Sequence, residues 1–172
     1  IQNRLDKDDL KELPLFITGH SLGGALATIA AKKMTHPLGG IAACYTFGSP
    51  RVGNERWIAD FKTPIYRLVN AVDCVTMLPH GGELTPILSW LAKLIPYAGK
   101  SINAFLLNKV NGYLHAGNMR YMTNCVTSDY SNVELLYSVS MLYRVQGLFA
   151  KTFAWKKLFA DHSIKTYRKK LL

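Results

Sequence analysis

The stretch from Leu15 to Gly24 (Leu-Phe-Ile-Thr-Gly-His-Ser-Leu-Gly-Gly) constrains the fold of this chain more than any other. Residues Leu15–Thr18 are apolar or β-branched and predict a buried strand, whereas the small residues Gly24–Ala27 predict the start of a helix. Ser21 lies between the two, at the centre of a G-x-S-x-G pattern. We therefore expect Ser21 on a sharp and strained strand-to-helix turn.

Such a turn would lift the Ser21 hydroxyl off the sheet and direct it at a substrate. Side chains at Gly19 and Gly23 are expected to collide with the neighbouring strand or helix. The backbone N–H of Leu22, at the N-terminus of the helix, would be free to donate to an oxyanion. A Gly-rich turn with a surface serine can match the G-x-S-x-G pattern by chance, but the flanking strand and helix favour the interpretation of Ser21 as a nucleophile.

Apolar segments and turn residues alternate along the rest of the chain, which predicts one domain over residues 1–172 with a mostly parallel sheet and helices on both faces. The further predicted strands are Ile41–Phe47, Ile65–Asn70 and Met119–Val126. The predicted helices are Ile1–Leu13, Leu22–Met34, a short helix capped by Asn54, one or two helices within Asn132–Phe159, and Ile164–Leu172 capped by Ser163.

The stretch Leu84–Val110 fits this alternation least well. Its apolar residues repeat with helical spacing on both sides of Pro96, and its charged residues are Lys93, Lys100 and Lys109. Two amphipathic helices packed on the core and a mobile or interfacial cap are both compatible with this pattern. We predict a helical insertion over residues 81–111.

The chain carries 21 Lys and Arg residues against 11 Asp and Glu, a net charge of +10. This charge indicates an anionic partner, and because no nucleic-acid-binding motif is present, an anionic membrane surface is favoured. No apolar run is long enough to span a bilayer. Cys44, Cys74 and Cys125 lack metal-ligand spacing, and Cys44 and Cys74 are expected to be buried free thiols.

A serine hydroxyl becomes an effective nucleophile when a histidine accepts its proton and a carboxylate orients that histidine. Asp73 follows the strand Ile65–Asn70, at the carboxyl edge where Ser21 is also expected, although an acid here is equally typical of a turn. Among the five histidines, His162 lies late in the chain, in a loop before the terminal helix, as the base should. His80, close to Asp73, is the second candidate.

The other three histidines are expected to serve the structure. His20 should point away from the hydroxyl of its neighbour Ser21 and pack near the site. His36 lies in a polar loop and is expected to be solvated. His115 is expected to form a structural hydrogen bond near a strand.

Five blocks of the sequence resemble the class 3 lipases, the family of fungal triacylglycerol lipases and their bacterial relatives. The blocks are Gly19–Ala27, Tyr45–Asn54, Tyr66–Asp73 leading to Leu78-Pro79, Tyr113–Gly117 and Asp161–Tyr167. The resemblance implies an α/β-hydrolase fold with Ser21 as nucleophile, Asp73 as acid and His162, rather than His80, as base.

The resemblance also implies hydrolysis of lipid esters, most specifically triacylglycerols, through an acyl-enzyme on Ser21 and without a metal or organic cofactor. A phospholipase or a short-chain esterase is the alternative within this class of enzyme. A catalytically inactive membrane-binding module is the alternative of another class.

Two departures from the family qualify these expectations. The family carries earlier strands, a lid and a second oxyanion donor before the nucleophile, and the sequence shows none of these. We therefore expect an N-terminally incomplete fold, an oxyanion hole reduced to the Leu22 N–H, and weak catalysis by this chain alone. The chain begins at Ile1 without a signal-like segment, which indicates a fragment and leaves its compartment, cytoplasmic or secreted, open. The stretch Gly81–Asn111 is longer than the family predicts.

Overall fold

The computed structural model of the chain describes residues 13–36, 40–79, 104, 112–125, 129–140, 142–144, 146 and 160–172. The described part contains a five-stranded sheet in the order β1-β2-β3-β4-β5. Its first four strands are parallel and the fifth is antiparallel to β4. The strands are β1 Phe16–His20, β2 Ala43–Phe47, β3 Ile65–Asn70, β4 Asn118–Met122 and β5 Leu135–Leu136. The helices are α1 Leu22–Lys33, α2 Glu55–Ile58 and α3 Ile164–Leu171, and a 3₁₀ turn spans Cys74–Met77.

Helices cover both faces of this sheet. Ala27 and Ala31 of α1 pack against Cys44 of β2 on one face, where the small alanine side chains let the helix lie close to the strands. Tyr167 of α3 packs against Leu68 of β3 on the opposite face. Because side chains alternate along a strand, a parallel sheet covered in this way is apolar on both sides. The predicted mostly parallel α/β architecture is confirmed.

The fifth strand corrects part of one prediction: one or two helices were expected within Asn132–Phe159, and Leu135–Leu136 instead form β5, whereas residues 142–144 and 146 are helical. The main-chain N–H of Thr123 donates to the carbonyl of Glu134 (3.0 Å), and the N–H of Glu134 donates to Thr123 Oγ1 (2.9 Å). These bonds extend the pairing of β4 with β5 by one residue beyond Met122. Pairing with an existing strand outweighs the helical spacing of this segment's apolar residues.

Helix capping agrees with the sequence at α2 and differs at α3. Asn54 Oδ1 accepts a hydrogen bond from the N–H of Trp57 (2.9 Å), as predicted. Ser163 precedes α3 but makes no side-chain capping bond. Its carbonyl accepts instead from the N–H of Thr166 (2.9 Å).

Burial corrects the prediction for His36, which is only 6% exposed. His36 lines a cavity of about 510 Å³ whose wall includes the apolar Met34 and Ile41 and the charged Lys32 and Asp60. Cys44 and Cys74 are free thiols, as predicted, and Cys125 is a free thiol as well. Cys44 is buried, which raises the pKa of its thiol to about 11, whereas Cys74 is only half-buried.

Two predicted segments lie outside the described residues: the helix over Ile1–Leu13, apart from Leu13 itself, and the insertion over residues 81–111, apart from residue 104. Within the described part, none of the helices has the length and apolar character needed to cross a bilayer.

Candidate active site

Ser21 occupies the turn between β1 and α1 in a conformation that non-glycine residues rarely adopt, with φ 57° and ψ −130°. The N–H of Ser21 donates to the carbonyl of Phe47 on β2 (2.9 Å), and its carbonyl accepts from the N–H of Gly24 in α1 (2.9 Å). The strand on one side and the helix on the other therefore hold the strained residue in place.

Close approach of neighbouring atoms requires glycine at Gly19, as predicted, and at Gly24 rather than at Gly23. A Cβ atom added at Gly19 would lie 2.1 Å from the carbonyl oxygen of Gly23, which no L-residue can tolerate. A Cβ atom at Gly24 would lie 2.7 Å from Cβ of Ser49, whereas one at Gly23 would meet no atom within 4 Å. The expected collision is confirmed at Gly19 and is wrong at Gly23, because the Cα–H bond of Gly23 faces open space.

The substitutions Gly19→Ala and Gly23→Ala are expected to have opposite effects on stability. Gly19→Ala should lower the free energy of unfolding by about 1–3 kcal/mol or more, because the methyl group overlaps a backbone carbonyl. Gly23→Ala should leave it unchanged or raise it by up to about 1 kcal/mol, because alanine is favoured over glycine within a helix. Urea unfolding followed by circular dichroism measures both, and equal losses would contradict the assignment.

The three residues predicted to form a catalytic centre lie in one hydrogen-bonded chain. Ser21 Oγ is 2.8 Å from His162 Nε2, and His162 Nδ1 is 3.0 Å from each carboxylate oxygen of Asp73. The Asp73 side chain is fully buried, and that of His162 is 16% exposed. With Nδ1–H donating to the carboxylate, Nε2 is left as the acceptor for the serine proton. The predicted alternative base, His80, lies outside the described residues.

The Asp73 carboxylate accepts two further hydrogen bonds. The N–H of Val75 donates to Oδ1 (3.0 Å), and the hydroxyl of Tyr167 donates to Oδ2 (2.7 Å). The Tyr167 oxygen in turn accepts from the N–H of Asn70 (2.9 Å). Burial, with the neighbouring Asp73 charge, raises the pKa of Tyr167 well above its ordinary value, so this phenol is a permanent donor. The sequence analysis assigned no role to Tyr167. The one indication of a role in the sequence was that Tyr167 ends the Asp161–Tyr167 block, which resembles the family.

His162 was expected in a loop, but residues 160–162 form a helical turn that is separated from α3 by Ser163 alone. This turn is attached to the end of β3. Asn70 Nδ2 donates to the carbonyl of Asp161 (2.8 Å), and the N–H of Val72 donates to Asp161 Oδ2 (3.3 Å). On the other side, His20 Nε2 donates to the carbonyl of His162 (2.7 Å), and the two imidazole rings lie 4.8 Å apart. His20 therefore packs against His162, in the supporting position expected for it.

Gly48 and Leu22 complete the surroundings of the site. Gly48 has φ 60°, and an added Cβ atom would lie 2.6 Å from Asp73 Oδ2 and 3.0 Å from His162 Nδ1. The absence of a side chain there leaves room for the carboxylate–imidazole contact. Leu22 is the first residue of α1, so its N–H has no acceptor within the helix and can serve an anion beside Ser21.

The turn that follows Asp73 is held by residues from other parts of the chain. Arg144 Nη2 donates to the carbonyl of Asp73 (3.2 Å) and to Thr76 Oγ1. His115 Nε2 donates to the carbonyl of Thr76 (2.8 Å), which confirms its predicted structural role. Burial, with the nearby Arg67, lowers the pKa of His115 well below its ordinary value, so the ring is neutral. Sequence reasoning missed Arg144, and nothing in its local pattern signalled it.

Within the described residues, His, Cys, Asp and Glu side chains form no group of three or more arranged to hold a metal ion. The described polar groups around Ser21 are instead those of an acid–base centre. The arrangement can deprotonate a hydroxyl, stabilise the resulting imidazolium and bind a developing oxyanion.

Comparison with known proteins identifies relatives of this chain. A family model for class 3 lipases matches residues 2–82. A secreted mono- and diacylglycerol lipase from Fusarium solani is 46% identical over 67 residues, which are 37% of this chain and 20% of the relative. The chloroplastic phospholipase A(1) DAD1 of Arabidopsis thaliana is 40% identical over 72 residues, which are 39% of this chain and 16% of the relative. Lipase ZK262.3 of Caenorhabditis elegans is 31% identical over 139 residues, which are 75% of this chain and 37% of the relative. The matches thus cover 16–37% of these relatives.

Solved structures show the same fold. Rhizomucor miehei lipase in complex with its propeptide aligns with a TM-score of 0.50 at 25% identity, covering 80% of this chain and 35% of that one. The lipase of Rhizopus microsporus var. chinensis aligns with a TM-score of 0.52 at 24% identity, and the alignment covers 94% of this chain and 45% of that lipase. The architecture of this chain is the α/β-hydrolase fold, and together with the family match these findings confirm the resemblance drawn from the sequence. Residues 2–82 of the chain match the class 3 lipase family, which is the family that the sequence blocks resemble.

Proposed function

We propose that this chain carries the catalytic centre of a serine hydrolase that cleaves carboxylic esters of lipids. One observation carries the proposal: Ser21 Oγ, His162 and the buried carboxylate of Asp73 form a continuous hydrogen-bonded chain with separations of 2.8 and 3.0 Å. Relatives named as acylglycerol lipases and as a phospholipase A1 support an ester substrate of lipid origin.

The proposed mechanism begins when Ser21 Oγ attacks the ester carbonyl carbon and His162 Nε2 takes the serine proton. The N–H of Leu22 donates to the oxyanion of the tetrahedral intermediate. As this intermediate collapses, the C–O bond to the alcohol breaks and His162 returns the proton to the leaving oxygen. Water, deprotonated by His162, then attacks the acyl carbon. The bond from that carbon to Ser21 Oγ breaks, His162 returns the proton to Oγ, and the carboxylic acid is released.

The strain and burial of the site serve this mechanism. Ser21 cannot relax without breaking its bond to β2, so its Oγ stays at 2.8 Å from the base. Asp73 is fully buried and remains bonded to the imidazole while the positive charge develops. The apolar side chain of Leu22, next to the nucleophile, is 68% exposed and is suited to contact an acyl chain.

Triacylglycerol is the proposed substrate, and phospholipids and short-chain esters are the alternatives. An anionic membrane surface is the proposed setting. In its support, α3 begins two residues after His162 and exposes Lys165, Arg168 and Lys169. Basic residues near an anionic surface contribute roughly 1 kcal/mol each, and salt screens this attraction. The lysines of the insertion, Lys93, Lys100 and Lys109, lie outside the described part of the chain.

A labelled fluorophosphonate tests the proposal in the intact protein. The expected result is one covalent adduct, located by mass spectrometry on Ser21 and absent from Ser21→Ala. The same preparation is then assayed on triacylglycerol emulsion, on short-chain esters, and on phospholipid vesicles with and without anionic lipid. An unlabelled protein that binds vesicles but hydrolyses none of these substrates would instead be a binding module, and the proposal would be wrong.

A further inference from the structure

Arg144 is an arginine in the interior of the protein, only 4% exposed, beside the turn that carries Asp73. Burial lowers the pKa of Arg144 from its ordinary value, while the neighbouring Tyr121 and Asp73 act in the opposite direction. An arginine remains protonated even when it is desolvated. The site described above therefore contains a fixed cation close to its acid.

Arg144 contacts two residues of the turn that follows β3, namely Asp73 at its start and Thr76 within it. Its Nη2 atom donates both to the carbonyl of Asp73 (3.2 Å) and to Oγ1 of Thr76. Thr76 Oγ1 itself donates to the same Asp73 carbonyl (2.8 Å). The three groups close a small ring of hydrogen bonds, so Asp73 cannot rotate about its backbone without breaking more than one of them.

The inference rests on the proposed function and names a further residue of the same site. We infer that Arg144 is a positioning residue for ester hydrolysis. It fixes the main chain of Asp73 both directly and through Thr76. The carboxylate of Asp73 is thereby held with both oxygens 3.0 Å from His162 Nδ1, which orients Nε2 toward Ser21 Oγ.

Other titratable groups surround this pair. They are Tyr167 on α3, His20 at the end of β1, Asp161 before α3, Cys74 in the 3₁₀ turn and Tyr121 on β4. Arg51 and Arg67 act on Arg144 or on one another from the same interior region. Among the described arginines, Arg144 is the one that donates to the main chain of Asp73. Its removal should therefore change the geometry at the acid.

Arg144→Gln and Arg144→Lys test this role in the intact protein. We expect Arg144→Gln to lower kcat by about 10- to 100-fold, since a misplaced catalytic group of this kind costs about that much. KM for a soluble ester should change little, because Arg144 acts on the acid and not on the substrate. Arg144→Lys should keep part of the kcat that Arg144→Gln loses, because its ammonium can still donate to the Asp73 carbonyl although it lacks the planar fork.

The control is Arg120→Gln, which removes the same charge from β4. Arg120 lies over the rings of Tyr66 and Tyr137 and donates to the carbonyl of Met119. Its kcat and KM should remain those of the wild type. All rates are measured with a soluble short-chain ester, so that binding to a lipid surface does not enter.

A kcat of Arg144→Gln within a few-fold of the wild type, after normalisation to the folded fraction measured by circular dichroism, would overturn the inference, because a purely structural residue gives that result. Failure of Arg144→Lys to recover any of the lost kcat would overturn it as well. If Arg144→Gln does not fold, Thr76→Val decides: it should lower kcat, and an unchanged kcat would overturn the inference. A wild type without esterase activity would refute the proposed function and this inference together, whereas an active wild type with variants of unchanged kcat refutes the inference alone.

Discussion

Ser21→Ala is expected to lower kcat for ester hydrolysis in the intact protein by at least about four orders of magnitude. The substitution removes the only atom of Ser21 that can form the acyl-enzyme. It leaves the strained turn intact, since the hydrogen bonds of Ser21 to β2 and α1 use main-chain atoms. We therefore expect the loss in rate without a comparable loss in the free energy of unfolding. Initial rates on a short-chain ester and urea unfolding measure the two.

Ser163→Ala is the matched control for this substitution. Ser163 directly follows His162, but its side chain makes no capping hydrogen bond to α3. Its replacement should leave kcat within a few-fold of the wild type. Because the groups of such a centre act as a unit, Ser21→Ala combined with His162→Ala should be no slower than either single variant. Hydrolysis at a tenth of the wild-type rate by Ser21→Ala would exclude Ser21 as the nucleophile.

Asp73→Asn should lower kcat by about 10⁴-fold, although the side chain keeps its size and shape. The carboxylate of Asp73 accepts from His162 Nδ1, the N–H of Val75 and the Tyr167 hydroxyl, and all three are donors. An amide presents a donor of its own at one of its two positions, so one of these contacts becomes repulsive. The imidazole would then lose the tautomer that leaves Nε2 free as the base.

Asp129→Asn provides the comparison at an exposed carboxylate. The Asp129 oxygen accepts from the N–H and hydroxyl of Ser131 within its own turn. Hydrolysis by this variant should match that of the wild type. A rate within ten-fold of the wild type would show that Asp73 is a turn residue, the alternative that the sequence left open.

The parts of the fold that sequence predicted are those set by local patterns. The strand Ile65–Asn70 has its predicted bounds because a short apolar run between turn residues is sufficient to define it. The β5 strand was missed because Leu135 and Leu136 are strand residues only through their pairing with β4. Their apolar spacing matched a helix equally well, and only the partner strand decides between the two.

The candidate site divides in a similar way. Ser21 could be identified from its own flanking residues, whereas the choice of Asp73 and of His162 over His80 needed the resemblance to a family. Tyr167 and Arg144 were not identified, because each acts by being buried beside Asp73. Tyr167 and Arg144 lie 94 and 71 residues from Asp73 in the sequence. Contacts between residues so far apart produce no pattern in the sequence around either partner.

The same long separations bear on how the protein acquires its activity during folding. The contact from Ser21 to His162 joins residues 141 positions apart, and the neighbours β1 to β4 pair in parallel across crossover connections. Closing long loops costs conformational entropy before the contacts compensate for it, so such contacts form late. Helix α1 can form early from local contacts, but the base reaches the nucleophile only after α3 has docked on the sheet. Ester hydrolysis therefore reports the completion of folding, whereas helical circular dichroism reports its beginning.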